Sequence, residues 1–223
     1  MHIVSWNCRG LRNSSKYESV KYLIKMDSLD ILLLQETKIE EETILSLIKM
    51  KWKKNTRKAV SAQGSSGGIA TLWSEDTFLL ENSFETHHWI YIELCHTSSK
   101  ISLALFNLYV SVNFLEKKEC WNSLTDFIAT YAPSNIIVVD DLNIIMDPKE
   151  KKGGVYGRDP MHKMVENFIQ LWDLLDFKPK KGDIHGPIIE LERLISQQDW
   201  TVFWFKGHFC LRKKSSPQAF CLN

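Results

Sequence analysis

The chain has 223 residues, of which 44% are hydrophobic and 25% charged, and its 28 Lys and Arg nearly balance 27 Asp and Glu for a net charge of +1. That balance excludes a largely disordered chain and an overall basic field, so any nucleic-acid partner has to be drawn by local patches. The length suits one large domain, with two small ones as the alternative.

Five cysteines, Cys8, Cys95, Cys120, Cys210 and Cys221, form no CxxC pair and are odd in number. They point to reduced thiols in an intracellular protein and not to a disulfide frame or a zinc site. No apolar stretch reaches the ~18 residues of a membrane span, so no membrane partner is expected. The segment Met1-His2-Ile3-Val4-Ser5-Trp6 already reads as a strand and is too short and polar for a secretory leader.

In chain order, residues 2–6 read as a strand, followed by a polar turn through Arg12-Asn13-Ser14-Ser15 and a helix near 16–27 striped by Tyr17, Val20, Leu23 and Ile24. A strand at 30–35 precedes a short helix from Thr43 to Met50, with Ile44, Leu47 and Ile48 inward. Lys49, Lys51, Lys53, Lys54, Arg57 and Lys58, and later Lys149-Glu150-Lys151-Lys152, are either local basic patches or solvated loops. From 57 to 110 the pattern changes to short strands: Gly64-Ser65-Ser66-Gly67-Gly68 turns into a strand at 69–73, and runs 77–82, 88–95 and 101–110 follow. Consecutive short strands imply antiparallel pairing.

A helix over 115–131 carries Cys120, Trp121, Leu124, Phe127, Ile128 and Tyr131 at helical spacing and stops at Pro133, before a strand at 135–140. After a loop with Gly153, Gly154 and Gly157, Asp159-Pro160 reads as an N-cap and first helical position. Met161, Met164, Val165, Phe168 and Trp172 share one face of the helix that follows. The order predicts an α/β fold, a four-layer sandwich of two mixed sheets packed face to face with helices outside.

Two apolar runs end abruptly on an acid and an amide: Leu32-Leu33-Leu34-Gln35-Glu36-Thr37 and Ile136-Ile137-Val138-Val139-Asp140-Asp141-Leu142-Asn143. Such runs read as buried central strands, whose carboxyl ends open into the crevice where α/β proteins build their sites. Glu36 with Asp141 and Asn143 can together hold a hard divalent cation on oxygen.

Val4-Ser5-Trp6-Asn7-Cys8-Arg9-Gly10, Leu33-Leu34-Gln35-Glu36-Thr37, Ser66-Gly67-Gly68-Ile69-Ala70, Phe106-Asn107-Leu108-Tyr109 and Asp141-Leu142-Asn143 occur in that order. Their spacing resembles the endonuclease/exonuclease/phosphatase superfamily, and the WNCRG form with SGGIATLW after it looks most like the endonuclease domain of plant LINE-type retrotransposons. The resemblance covers residues 1–200, and 201–223 read as a diverged tail. It implies Mg²⁺-dependent phosphodiester hydrolysis, with Mn²⁺ as a substitute. DNA is the implied partner and RNA a second, on a monomer in the nucleus. It casts Glu36 as the metal ligand, Asn7 as the amide near metal and phosphate, and Tyr109 as a phosphate contact. Asp141 becomes the acid that orients or deprotonates water, and Asn143 the amide that steadies the phosphate.

Departures accompany the match. Asp140 stands where the family carries Gly, adding a negative charge beside Asp141, and Val110-Ser111 follow Tyr109 where the family has Gly-Pro or Ala-Pro. Leu191-Glu192-Arg193 resembles a Leu-Asp-Arg segment, making Glu192 a further site candidate. No terminal Ser-Asp-His follows: His208 lacks the acid beside it, and His87, His88 and His185 read as surface or loop histidines. The last strands of the second sheet are expected to be missing, leaving an exposed edge. Three readings stay open: a DNA-nicking enzyme of weak or lost activity, a remnant without turnover, and an RNA or small-phosphoester hydrolase.

Overall fold

The apolar runs at the start of the chain form the strands β1 (Ile3–Asn7) and β2 (Ile31–Gln35), paired in parallel with Ile3 opposite Ile31 and Asn7 opposite Gln35. A computed structural model describes residues 1–25, 29–49, 55–63, 66–141, 159–174, 200–205 and 208–213. Helix α1 (Ser14–Lys25) crosses between β1 and β2 and buries Val20, Leu23 and Ile24. Helix α2 (Glu41–Lys49) follows with Ile44 buried.

A strand not singled out in the sequence, β3 (Asn55–Gln63), then pairs antiparallel with β4 (Ser66–Ser74). Arg57 and Lys58 of the expected basic patch therefore lie in β3, where Lys58 is engaged with Glu85 at 2.8 Å, and Lys51, Lys53 and Lys54 lie outside the described residues. β4 also pairs antiparallel with β2, so the first sheet runs β1-β2-β4-β3.

The second sheet grows by hairpins. β5 (Phe78–Glu85), β6 (Trp89–His96) and β7 (Ser102–Tyr109) pair antiparallel in sequence. Helix α3 (Phe114–Tyr131) crosses over to β8 (Ile136–Asp141), parallel to β7. The α3 ends are capped: Asn113 Oδ1 accepts from the Leu115 and Glu116 N–H groups, and left-handed Ala132 donates its N–H to the Ile128 carbonyl. Helix α4 (His162–Leu171) begins two residues later than an Asp159 cap implies, with Met161 in the cap position. Asp159 instead organises the preceding turn, its Oδ1 accepting from Met161 N at 2.9 Å and its carbonyl from His162 N.

The expected loss of the last strands is corrected here. β9 (Trp200–Phe205) pairs parallel with β8, and β10 (His208–Lys213) pairs antiparallel with β9. The second sheet thus has six strands in the order β10-β9-β8-β7-β6-β5, and residues 201–205 and 208–213 of the expected tail belong to it.

Alternation along the strands sorts the core into layers. Ile3, Ile31, Leu33, Ile69, Trp73, Ile90, Ile92, Leu103, Leu105, Ile137 and Val139 pack between the two sheets. Val4, Trp6, Leu32, Leu34, Ala70 and Leu72 face α1 and its surroundings with Val20, Leu23 and Ile24. Trp89, Tyr91, Phe106 and Val138 face α3 and α4 with Trp121, Phe127, Val165 and Phe168. The expected four-layer α/β sandwich is observed. Among the described residues no helix is long and apolar enough to cross a membrane.

Candidate active site

The candidate residues lie where strands of both sheets end on the same side. Asn7 closes β1 beside Gln35, and Tyr109 closes β7 directly opposite Asp141 of β8. The Tyr109 ring reaches across the gap between the sheets. A Cβ placed on Gly67 of β4 would lie 3.7 Å from Tyr109 Cδ1 and Cε1.

Glu36 follows β2 in a left-handed conformation, φ 52°, which costs a residue with a Cβ ~1–2 kcal/mol. Hydrogen bonds from two sides hold it there. On the β1 side, Gly10 N donates to the Glu36 carbonyl at 2.7 Å and Leu11 N to the Thr37 carbonyl at 2.8 Å. On the β4 side, Thr37 N donates to the Gly68 carbonyl at 2.9 Å and Lys38 N to the Gly67 carbonyl at 3.0 Å. Arg9 and Lys38 are left-handed as well. Strain of this kind persists only where surroundings over-determine the backbone, and it concentrates at functional sites. Gly68, at φ 81°, leaves no room for a side chain because a Cβ there would overlap Thr37 Oγ1.

The loop after β1 is stapled by Lys16, whose Nζ donates to the Cys8 carbonyl at 2.8 Å and the Arg9 carbonyl at 2.9 Å. Asn7 Oδ1 accepts from Arg9 N at 2.9 Å, which fixes its amide at the rim. Cys8 is fully enclosed beside this loop. Burial pushes its thiol well above the usual range, Lys16 opposes and Glu36 adds to the rise, so it is a packing residue and no nucleophile.

Directly beneath the rim lies a polar layer that the sequence reading did not select. Gln35 Nε2 donates to Asn107 Oδ1 at 2.7 Å, joining the sheets, and also to Ser5 Oγ at 3.0 Å. Ser5 Oγ in turn donates to Gln35 Oε1 at 3.2 Å. Asn107 Nδ2 meets the Ala70 carbonyl at 2.9 Å, Thr71 Oγ1 at 3.0 Å and the Leu34 carbonyl at 3.4 Å. Gln35 and Asn107 are both 0% exposed. The signal for them was available: each is an amide inside an apolar strand run, on the alternation that faces the other sheet.

Glu36 Oε1 accepts the Lys38 ammonium at 2.9 Å, and the carboxylate is 18% exposed. Glu36 therefore already attracts a cation at an accessible oxygen, with the Asn7 amide oxygen on the same rim. Mg²⁺ binds through one or two carboxylates and keeps several waters, so this donor set fits it. Among the described residues no group of three His, Cys, Asp or Glu converges on one point.

Asn7, Glu36 and Tyr109 thus share one mouth, with Asp141 beside Tyr109 in register. Asn143 and Glu192 lie outside the described residues, as does the Lys149–Lys152 cluster. His208 opens β10 opposite Phe205, at the end of the six-stranded sheet where Asp141 stands. Adjacent strands lie ~4.8 Å apart, which puts its backbone about 10 Å from that of Asp141 across β9.

No protein-family model matches the sequence, and no curated protein matches it. Solved structures do share its fold. An AP endonuclease from Leishmania major is 15% identical, covers 95% of this chain and 78% of its own, and superposes with a TM-score of 0.65. A 3′–5′ exonuclease from Neisseria meningitidis is 16% identical, covers 96% of this chain and 87% of its own, with a TM-score of 0.62. A Neisseria 3′ phosphatase bound to a product DNA hairpin is 14% identical over 97% of this chain and 100% of its own, with a TM-score of 0.60. At such identities the likeness establishes the fold alone.

Proposed function

We propose that this chain is a Mg²⁺-dependent phosphodiester hydrolase that nicks DNA, in the manner of the retrotransposon endonucleases its motifs resemble. The observation that carries the reading is Glu36: a partly exposed carboxylate on a left-handed backbone that is hydrogen-bonded from both sides, with Asn7 and Tyr109 at the same mouth. The fold it shares with an AP endonuclease and with a phosphatase holding a DNA product supports nucleic acid as substrate. Nuclear residence follows from that substrate, and Mn²⁺ substitutes for Mg²⁺.

Hydrolysis of a phosphodiester needs its charge neutralised, a water aimed in line and the leaving oxygen stabilised. Glu36 would anchor Mg²⁺, which when bound would neutralise phosphate charge. Asn7 and Asn143 hold phosphate oxygens with their amides, and the Tyr109 hydroxyl donates to another. Asp141 orients the attacking water and takes its proton. Asp140 beside it adds a second negative charge where the family carries Gly. Glu192 is a further candidate acid, in the place of the Asp of the family's Leu-Asp-Arg segment. A positioned acid–base group typically supplies ~10²–10⁴ in rate, and the residues from Trp200 to Asn223 hold no Ser-Asp-His that would act as one.

A second reading, a domain without turnover, is favoured by Asp140 in the family's glycine position and by the missing Ser-Asp-His. Nicking of supercoiled plasmid by purified protein separates the two. Conversion to open circles that needs Mg²⁺, stops with EDTA and is lost in Glu36→Ala is the expected result. A folded protein that nicks nothing would overturn the DNA reading, and RNA and small phosphomonoesters assayed alongside decide whether the substrate differs or turnover is absent.

A further inference from the structure

The two halves of the site stand on different sheets, and each sheet by itself leaves the gap between them unset. Asn7 and Glu36 belong to the first sheet, Tyr109 and Asp141 to the second. Apolar side chains fill the interior between the sheets, and apolar contact has no direction of its own. A hydrogen bond fixes distance and angle to a few tenths of an ångström.

One residue of β7, Asn107, makes side-chain hydrogen bonds to both β2 and β4 of the first sheet. It sits on β7 two positions before Tyr109, hence on the same face. Its Oδ1 accepts from Gln35, the residue immediately before Glu36 and opposite Asn7 in register. Its Nδ2 reaches the Ala70 carbonyl and Thr71 Oγ1 on β4, the strand whose glycines hold the Glu36 backbone. Ser5, two before Asn7, completes the layer from β1. Every site-bearing strand of the first sheet is thus tied, one residue pair below the rim, to the strand that carries Tyr109. A buried amide pair is costly unless satisfied, and here it is satisfied only in one sheet-to-sheet register.

We infer that the Gln35–Asn107 bridge is a positioning device: it sets the separation between Glu36 and Tyr109, and through it the geometry of the reacting phosphate. The inference rests on the hydrolase reading for its kinetic consequence, but its structural content stands apart from it. Misplacement of reacting groups by about 1 Å can cost ~10² in rate while leaving substrate binding nearly intact. The bridge therefore acts on kcat and spares KM.

The test alters the reach of the bridge. Gln35→Asn shortens it by one methylene and leaves the three Asn107 Nδ2 contacts in place. Gln35→Asn combined with Asn107→Gln restores the combined length. Gln35→Met, which keeps the volume and removes the donor, is read the same way if Gln35→Asn does not fold. The first readout is ¹⁹F NMR of 3-fluorotyrosine-labelled protein, with the Tyr109 line assigned by its loss in Tyr109→Phe. The second is steady-state nicking.

The expected result is a folded Gln35→Asn protein whose Tyr109 resonance shifts or splits, whose kcat falls ~10²-fold and whose KM stays within about threefold. The length-restoring pair recovers both at least tenfold in rate and to a single line in the spectrum. A folded single variant with an unmoved Tyr109 line and unchanged kcat would overturn the inference, as would a restored pair that stays displaced in both readouts. If the wild-type chain hydrolyses nothing, the hydrolase reading falls, and the ¹⁹F line still decides whether the bridge positions Tyr109.

Discussion

The Lys38 ammonium lies 2.9 Å from Glu36 Oε1, two residues along a chain in which both are left-handed. An ordinary turn would splay these side chains. Here the hydrogen bonds to Gly67 and Gly68 bring them together, and the Lys38 stem packs on Gly10. The ammonium therefore stands on the oxygen that a divalent cation would use.

Lys38→Met is accordingly expected to tighten Mn²⁺ binding several-fold, read by calorimetry on the purified protein. The pair is partly exposed, so its loss costs the metal-free fold under about 1 kcal/mol. Unchanged or weaker binding would show that the ammonium does not compete at Glu36.

The two glycines of β4 are expected to respond unequally to alanine. Both have positive φ, so each substitution carries ~1–2 kcal/mol of backbone strain. At Gly67 the new methyl would make ordinary contact with the Tyr109 ring, whereas at Gly68 it would displace Thr37 and the Glu36 loop. Gly68→Ala should therefore lower the thermal midpoint more than Gly67→Ala, and it alone should weaken metal binding. Equal midpoints would refute the ordering.

His88 is partly buried at the entrance to β6, its backbone carbonyl accepting from Tyr109 N at 2.8 Å. Burial lowers the pKa of its ring, His87 adds to the fall, and Glu119 and Glu116 oppose it. With the folded value below the unfolded 6.5, the unfolded state binds more protons between the two, so stability rises with pH across that window. Thermal midpoints of wild type and His88→Gln should keep a constant offset above pH 7. Below the unfolded value, wild type should fall more steeply. Parallel curves down to pH 5 would contradict this.

Asn113 offers a calibration away from the site. Its Oδ1 accepts from Leu115 N at 2.9 Å and Glu116 N at 3.3 Å, satisfying two orphan donors of α3. Asn113→Ala is expected to cost ~1 kcal/mol in denaturant unfolding and Asn113→Gly only a few tenths. A loss well above this would mean the cap also organises the Tyr109 loop.

Several features were legible in the residues because they are local. The strands Ile31–Gln35 and Ile136–Asp141 are continuous apolar runs that lead into acids, Glu36 just past the first and Asp140 and Asp141 closing the second, so their burial and their site-bearing ends are legible from hydrophobicity alone. The α3 stripe and its stop before Pro133 are equally local. So was the sandwich, since the order of strands and helices leaves few ways to bury every apolar face.

What tertiary structure alone decided depends on partners far apart in the chain. β3 escaped notice because Arg57 and Lys58 interrupt its pattern and Ala59 is its buried residue; only pairing with β4 makes it a strand. β9 and β10 follow a segment whose motifs diverge, yet their backbone hydrogen bonds need only an open neighbour at β8, not a matching side-chain code. The left-handed turn at Glu36 runs against its own propensity and exists because strands β1 and β4 hold it. The Gln35–Asn107 bond joins residues 72 positions apart. Periodicity reports which face a side chain takes. It carries no information about which distant amide will meet it there, because that is set by the packing of two sheets whose contact energy is spread over the whole interface.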